Sequence, residues 1–423
     1  MKKASGIGLV LVLVLCLASV QAFAEKAELS LKYWYAGVGG ADVWVADCEE
    51  YDSSDWEDDP ELGDWFEVGV GLLSVEKLML HFAPGTSFIL SGSYSLSPSV
   101  SLGVSYWGLS RNDKVIKALD YPGYFEEDIP WSDGDVEGRD QWGETYYRIT
   151  FPWLYYTEGV WGEYGEWSYS GVGHEEYGEY LNEGLIRGNG DLLMSALDVS
   201  GRKSFSGPGW EVGFSGGIRK ATFSQSQLTL YEYIGEEEWY QLNEDEVDSE
   251  FWGFRAIIYT ESILGVSAIG PQVSIEGTCA LGDKLSLEAG AKAGFLFGTA
   301  ETKASLGFEE WDYDSDVSDE WNLYIEFEEE YPLTKEPIRV STYDLSFGLA
   351  YQIAEQWSIE AGYYASIWNG IPSLVQAVGD EPDNGNGYAS ISNGGPSIPI
   401  RWEQYGARTI TVGGLTIGVN FKF

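Results

Sequence analysis

Strict two-residue alternation is the feature that most limits what this chain can fold into. Residues 413–423 read GGLTIGVNFKF. Leu415, Ile417, Val419, Phe421 and Phe423 are apolar, and Thr416, Gly418, Asn420 and Lys422 between them are polar or small. Period two puts the first set on one face of an extended strand and the second set on the other. Chain ends fray unless they are tied down, so an apolar stripe here needs a partner surface.

The same pattern recurs along the chain. In DLSFGLAYQI the apolar face is Leu345, Phe347, Leu349, Tyr351 and Ile353. In WSIEAGYYASIW it is Trp357, Ile359, Ala361, Tyr363, Ala365 and Ile367. In KLSLEAGAKAGFLFG it runs from Leu285 and Leu287 to Phe295 and Phe297. Ten such strands are predicted, at about 27–36, 86–96, 99–109, 190–200, 210–230, 266–281, 284–304, 341–353, 357–370 and 411–423. Their connections alternate in length. Those at 97–99, 281–283 and 354–356 are short and 201–209 is moderate, whereas 37–85, 110–189, 231–265, 305–340 and 371–410 are long. Short turns on one side and long loops on the other describe an all-β, transmembrane, antiparallel up-and-down barrel of about ten strands. The last strand would pair with the first and leave no open edge in lipid, with Phe421 and Phe423 in the inner aromatic girdle. A secreted β-sandwich also alternates. Strand lengths near the 9–11 residues of a spanning strand, the aromatic terminus and five long loops on one side argue for the barrel.

Composition agrees. Hydrophobic residues make up 44% and aromatics 15% of the chain, too many for an acidic disordered chain. After the first two dozen residues no apolar run nears the length of a membrane helix. That opening segment has Lys2 and Lys3, an apolar stretch from Ile7 to Val20, and Ala22-Phe23-Ala24. These are the parts of a cleaved signal peptide, expected at 1–24. A single barrel domain is then expected over 25–423, in a bacterial outer membrane. Cys48 and Cys279 are read as unrelated thiols, although one disulfide stays open. The five long loops hold 56 of the 68 acids and 12 of the 24 bases, so they carry the net charge of −44 and leave the strands nearly neutral. Lipid-facing charge is costly, so this distribution fits a barrel with acidic extracellular loops.

From residue 85 onward the strand segments resemble the Legionella-type major outer membrane protein family. The segments, in order, are PGTSFILSGSYSLSPSVSLGVSYWGLS, LLMSALDVSGRKSF with WEVGFSGGIRKATFSQ, IGPQVSIEGTCALGDKLSLEAGAKAGFLFG, and LSFGLAYQ with WSIEAGYYASIW and GGLTIGVNF. The resemblance covers roughly half the chain and none of the acidic loops. It implies a pore-forming barrel, that is, a porin-like channel for passive diffusion of ions and small hydrophilic solutes.

The polar strand faces should line the interior. The ionisable candidates are Lys32, Asp198, Glu211, Arg219, Glu276, Glu288, Lys292, Asp344, Glu360 and Lys422. A tight turn at 282–283 would set Glu276 near Glu288 and Gln272 near Lys292, and Lys422 should lie near Ser358 and Glu360. Mixed charges inside a barrel are either an ion-pair plug or a charged constriction that selects ions. Eight strands leave room mainly for side chains and sixteen a wide channel, so ten strands imply a narrow lumen. Two more wall strands within 66–82 would widen it. An acidic vestibule would concentrate cations, which gives the expectation of cation preference. The plain alternative is that loop charge only keeps a surface solvated. The competing function is a structural or adhesive barrel with a plugged lumen, whose acidic, aromatic loops bind a surface partner or divalent cations.

Other motifs offer less. DYDSDVSDE spaces Asp312, Asp314 and Asp316 like the start of an EF-hand loop, but Val317 and Leu323 stand where Gly and Glu are required. Loose Ca²⁺ or Mg²⁺ binding there competes with a merely solvated acidic loop, and no other metal or cofactor is expected. WGEYGEWSYSGVGHEEYGEY (161–180) could present amphipathic aromatics to glycans or simply pack on itself. His81 and His174 fall in predicted loops without a Ser-His-acid pattern, so no enzyme is expected. The acidity opposes nucleic-acid binding. The expected partners are outer-membrane lipid and the barrel-assembly machinery; a homo-oligomer stays open.

Overall fold

The computed structural model describes residues 27–52, 56–58, 65–67, 71–119, 145–151, 154–156, 175–243, 246–314, 322–379, 391–392, 395–396, 400–404 and 406–423. Ten antiparallel strands form the wall. They are β1 (Ala27–Gly39), β2 (Gly85–Ser97), β3 (Val100–Leu119), β4 (Glu175–Gly207), β5 (Trp210–Asn243), β6 (Glu246–Ala280), β7 (Leu285–Asp314), β8 (Asn322–Ala354), β9 (Trp357–Pro372) and β10 (Ala407–Lys422). Each pairs with its sequence neighbours, and β10 pairs with β1 to close the ring. The fold is therefore a closed, ten-stranded, antiparallel up-and-down β-barrel. All ten expected strands are present and in the expected order.

Alternation does what the sequence requires of it. The outward stripe of β8 is solvent-exposed at Tyr343, Leu345, Phe347, Leu349, Tyr351 and Ile353, and that of β10 at Leu415, Ile417 and Val419. An apolar belt of this size around a molecule is untenable in water and natural in lipid. At the lower rim Phe421 packs on Trp357 (4.6 Å) and on Phe423 (4.4 Å), and the Phe423 N–H donates to the carbonyl of Ala27 (3.0 Å).

Three of the four short turns are tighter than the sequence suggests. The 201–209 connection is nearly all strand, because Gly207 pairs with Trp210 and only Pro208 and Gly209 turn the chain. Proline fixes φ at the first central position, and Gly209 takes φ of +75° at the second. The β6–β7 turn is wider than expected, with the Leu281 N–H bonded to the Leu285 carbonyl. That moves the register by two residues. Glu276 faces Gly290, Thr278 faces Glu288, and Lys292 faces Ser274 instead of Gln272. Face assignment survives because a two-residue shift preserves parity.

The largest correction concerns the long connections. The described residues of 231–265 are all β-strand, since β5 and β6 stay paired as far as Asn243 and Glu246. Strands β4 to β8 run 30–35 residues, three times what a bilayer needs. Above Gly184–Leu119 on one side and Ser341–Asn369 on the other, they continue without β3 and β9 as a five-stranded sheet. The alternation is weak there because a strand outside hydrocarbon has no need of an apolar outer face. Asp312 and Asp314 consequently lie on β7, opposite Phe254 and Trp252, in extended backbone that cannot wrap a cation as an EF-hand loop does. Asp316, His174, residues 1–24 and most of 161–180 lie outside the described residues.

Residues 71–80 are a strand but add nothing to the wall. Val43–Asp52 pairs with Gly71–Leu80 and with Thr145–Phe151, which pairs with Leu154–Tyr156 in a separate four-stranded sheet. Its inner residues enter the barrel. Val45, Ala46, Leu78, Leu80 and Phe82 share one buried core with the inward side chains Ile186, Leu192, Met194 and Phe223.

Candidate functional site

The lumen has three levels. The level at the short-turn end is a polar vestibule of about 590 Å³. Its walls include Glu28, Lys32, Arg202, Glu211, Glu276, Glu288, Glu360 and Lys422. They project inward because each occupies the parity opposite to the exposed apolar stripe of its strand. Lys32 Nζ lies 2.6 Å from Glu360 Oε1, and Arg202 lies 3.0 Å from Glu211 and 3.6 Å from Glu276. Lys422 was expected beside Glu360. Instead Asn420 faces Ser358, Gly418 faces Glu360 and Lys422 approaches Glu28 at 3.7 Å. The strand ends one step lower on the rim than the simple alignment implies, and Lys32, from the neighbouring β1, reaches Glu360 first.

A smaller cavity of about 160 Å³ continues inward past Lys32, Glu276 and Glu360 to Asp198, Lys292 and Asp344. Beyond it an ion-pair belt crosses the lumen. Arg219 is wholly buried. Its Nε donates to Asp198 Oδ1 (2.7 Å), its Nη2 donates to Asp198 Oδ2 (2.9 Å) and to Asp344, and its Nη1 donates to Thr342 Oγ1 (3.0 Å). Lys292 Nζ adds a bond to Asp198 Oδ2 (2.6 Å), and Ser366 Oγ donates to Asp344 Oδ1 (2.7 Å). The fork of one guanidinium thus spans carboxylates on β4 and β8, which lie on different sides of β5. Burying such charges is tolerable only when each is paired and its remaining hydrogen-bonding capacity is used, a condition these bonds meet.

Aromatic rings stack over the belt. Trp107 lies edge-on to Trp34 (5.6 Å) and near Trp368 (5.7 Å), and Trp34 meets Tyr364 at 5.0 Å. The Trp368 indole N–H donates to Ser366 Oγ (2.8 Å), tying the rings to the belt.

The third level is filled by two inserted segments. The inner face of β3 holds the first along its length. The Asp113 carboxylate accepts from the insert's His81 N–H (2.6 Å) and Lys117 pairs with the insert's Glu76 (2.9 Å), while Arg111 ties the wall itself by donating to the carbonyls of Ala36 on β1 and Thr86 on β2. On β5, Gln225 and Gln227 donate to the carbonyls of Ala41 (2.7 Å) and Trp44 (3.1 Å). On β4, Gly188 and Gly190 leave space for Val45 and Leu80; a Cβ at Gly190 would stand 2.9 Å from Leu80 Cδ1. The second insert pairs Val375–Gly379 with Ile400–Gln404 and buries Leu374, Val375 and Ala377. Trp402 of this hairpin donates to Glu329 and packs on Tyr331.

The structure thus brings Asp198, Arg219, Lys292 and Asp344 into one cluster. Lys32, Glu211, Glu276, Glu288, Glu360 and Lys422 line the vestibule. Sequence reading missed Glu28, Trp34 and Arg202. Glu28 and Trp34 share parity with Lys32 and were open to the same argument; Arg202 was assigned to a connection. Among the described residues no group of three or more His, Cys, Asp or Glu side chains is arranged to hold a metal ion. Cys48 and Cys279 form no disulfide; the first is buried in the inserted sheet and the second is exposed on the outer wall. His81 is exposed and stands 3.4 Å from Asp42.

No family model matches the chain, and no curated protein matches it either. Among solved structures the outer membrane protease OmpT of Escherichia coli aligns over 95% of this chain and 97% of its own, at 10% identity and a TM-score of 0.37. The toluene transporter TodX of P. putida aligns over 94% and 90%, at 9% identity and a TM-score of 0.21. A FadL homologue of Pseudomonas aeruginosa aligns over 95% and 91%, at 12% identity and a TM-score of 0.20. Scores this low carry no inference about activity. The chain is a ten-stranded membrane-type β-barrel on the evidence of its own closure and apolar belt.

Proposed function

We propose that this protein is a bacterial outer-membrane barrel with a sealed lumen, which works through the tall acidic sheet that β4–β8 raise beyond the bilayer. In this reading the barrel is an anchor, and the raised sheet, with its glutamate-rich stretches such as 236–238 and 328–330, is the surface that meets partners. The observation that carries it is the buried Arg219 clamp on Asp198 and Asp344, capped by tryptophans and by the inserted sheet. An open porin would keep such groups hydrated around a continuous aqueous path. The family resemblance of the strands supports the membrane setting, while the pore it implies favours the second reading below.

A second reading keeps the expected channel but makes it gated. What favours it is the polar vestibule leading to the belt, with charged side chains at every step. Ions or small hydrophilic solutes would then pass only when the inserted segments withdraw. Single-channel recording of refolded protein in a planar bilayer tests both. The sealed reading expects silence from the intact chain and continued silence when residues 43–80 alone are replaced by a short Gly-Ser linker, since the Arg219 belt stays in place; the gated reading expects that replacement to conduct. Frequent discrete openings of the intact chain would overturn it in favour of the gated channel, and a reversal potential in a salt gradient would then read cation preference.

A further inference from the structure

One stretch of the outer wall departs from the lipid-facing pattern. On β5 the outward positions rise from Trp210 through Phe214 to Ile218, all exposed and apolar. The next outward residue is Lys220, exposed and set between Leu197 of β4 and Ile269 of β6. Above it Thr222 stands between Ser195 and Ser267, and Ser224 between Leu193 and Gly265. The Ser195 and Thr222 hydroxyls lie 2.6 Å apart, and Ser267 is exposed. Apolar outward side chains then resume with Leu193, Leu228 and Ile263. The result is a hydroxyl-bearing patch with an ammonium at its lower edge and apolar side chains around it.

Among the described residues the charge of Lys220 has no carboxylate partner. The chain carries 68 acids against 24 bases, and two outward lysines further round the wall, on β7 and β8, are paired, as Lys303–Glu330 and Lys335–Glu301. Lys220 has no carboxylate within ion-pair distance among the described residues. Asp191, on the same outer face, stands opposite Ser226, further towards the hairpin end. The depth is also telling. Trp210 and Lys220 are separated by one spanning-strand length, about 9–11 residues, which brings Lys220 to the headgroup level of the leaflet on the hairpin side. A charge on the outer wall is least costly there, and small hydroxyl side chains supply hydrogen-bond donors beside it.

We propose that Lys220, with the hydroxyls of Thr222, Ser224 and Ser267, binds the anionic headgroup of a membrane lipid, whose acyl chains lie over Ile218 and Ile269. The occupant is an amphiphile because the patch adjoins the apolar belt at Ile218 and Ile269. The proposal rests on the membrane-embedded reading above. Failure of that reading would appear separately, as a barrel that stays soluble without detergent.

Native mass spectrometry of the intact barrel from dodecyl maltoside micelles tests it, with phosphatidylglycerol or phosphatidylcholine titrated in. Wild type should retain phosphatidylglycerol in preference to phosphatidylcholine. Lys220→Ala should weaken phosphatidylglycerol retention about fivefold, the effect of one basic residue at a membrane surface. Lys220→Arg should keep it. Lys203→Ala should also keep it, since that outward lysine at the short-turn end lies over the Phe205 ring. Equal retention by Lys220→Ala would overturn the proposal. So would displacement of the lipid by inorganic phosphate alone, or a stable dimer in which Lys220 is shielded from acylation. Folding of each variant is read from the same spectra, and loss of a lipid-exposed charge does not threaten it.

Discussion

The lower and upper halves of the lumen are built from the same inward positions of the same strands, yet they hold opposite contents. On β5 the inward residues pass from Glu211 at the vestibule, through Arg219 in the belt, to Ala221 and Phe223 against the inserted sheet. On β4 they pass from Arg202 and Asp198 up to Met194, Leu192 and Ile186. The difference teaches that "inward" in a barrel is a direction and not an environment. Where the interior meets water, inward residues are charged; where it meets another piece of chain, they form an ordinary core with apolar burial and few voids. The boundary between the two regimes is the Arg219 belt, roofed by Trp34, Trp107 and Trp368.

Substitutions at three levels of the lumen would break or sharpen this contrast. The largest effect is expected at the boundary. Arg219→Met leaves Asp198 and Asp344 buried without their shared cation, and should destabilise the barrel by about 3–5 kcal/mol. The measure is the urea midpoint of unfolding from lipid vesicles. Adding Asp344→Asn should recover part of the loss, and a midpoint unchanged by Arg219→Met would mean the belt is wetter than its geometry implies. In the upper half, Gly190→Val overfills the contact with Leu80 and should cost about 1–3 kcal/mol. Because the strain falls on the insert, proteolysis within 43–80 should rise while the barrel stays resistant; uniform resistance would show that the insert and wall yield together. In the lower half, Lys422→Ala removes one partner of the exposed Glu28 pair and should shift stability by no more than about 1 kcal/mol. A larger loss would show that the vestibule is as tightly packed as the upper lumen.

Much of the wall was legible from residue order. Leu345, Phe347 and Leu349 announce a lipid-facing stripe however the rest folds, because alternation is a local property of extended chain. The polar face of the same strands correctly nominated Lys32, Glu288 and Lys292 as interior. Less legible was how far the strands run. Residues 231–243 are strand although Glu232, Glu236, Glu237 and Glu238 crowd them, because outside the bilayer hydrogen bonding to β4 and β6 suffices and no apolar outer face is needed. The inserted sheet was also hidden. Residues 71–80 read as an acceptable wall strand, and nothing in their sequence says that they pair with 43–52 and enter the barrel.

What the sequence determined by itself was the place of the ten wall strands in the chain, the face of each residue within the bilayer and the closure of the last strand on the first. These follow from period two and from the intolerance of lipid for open edges and outward charge. That 66–82 adds no strand to the wall was decided by the tertiary structure. What only the tertiary structure decided was who stands opposite whom. Arg219 and Asp344 are far apart in the chain, and they meet because the pairing registers of β5 with β6, β6 with β7 and β7 with β8 set the stagger of these strands. One wider turn moved Glu276 from Glu288 to Gly290. Whether the lumen is open or filled depends on the same non-local geometry: a barrel of this width admits an insert only if its core-facing side chains fit, and Gly188 and Gly190 make that fit.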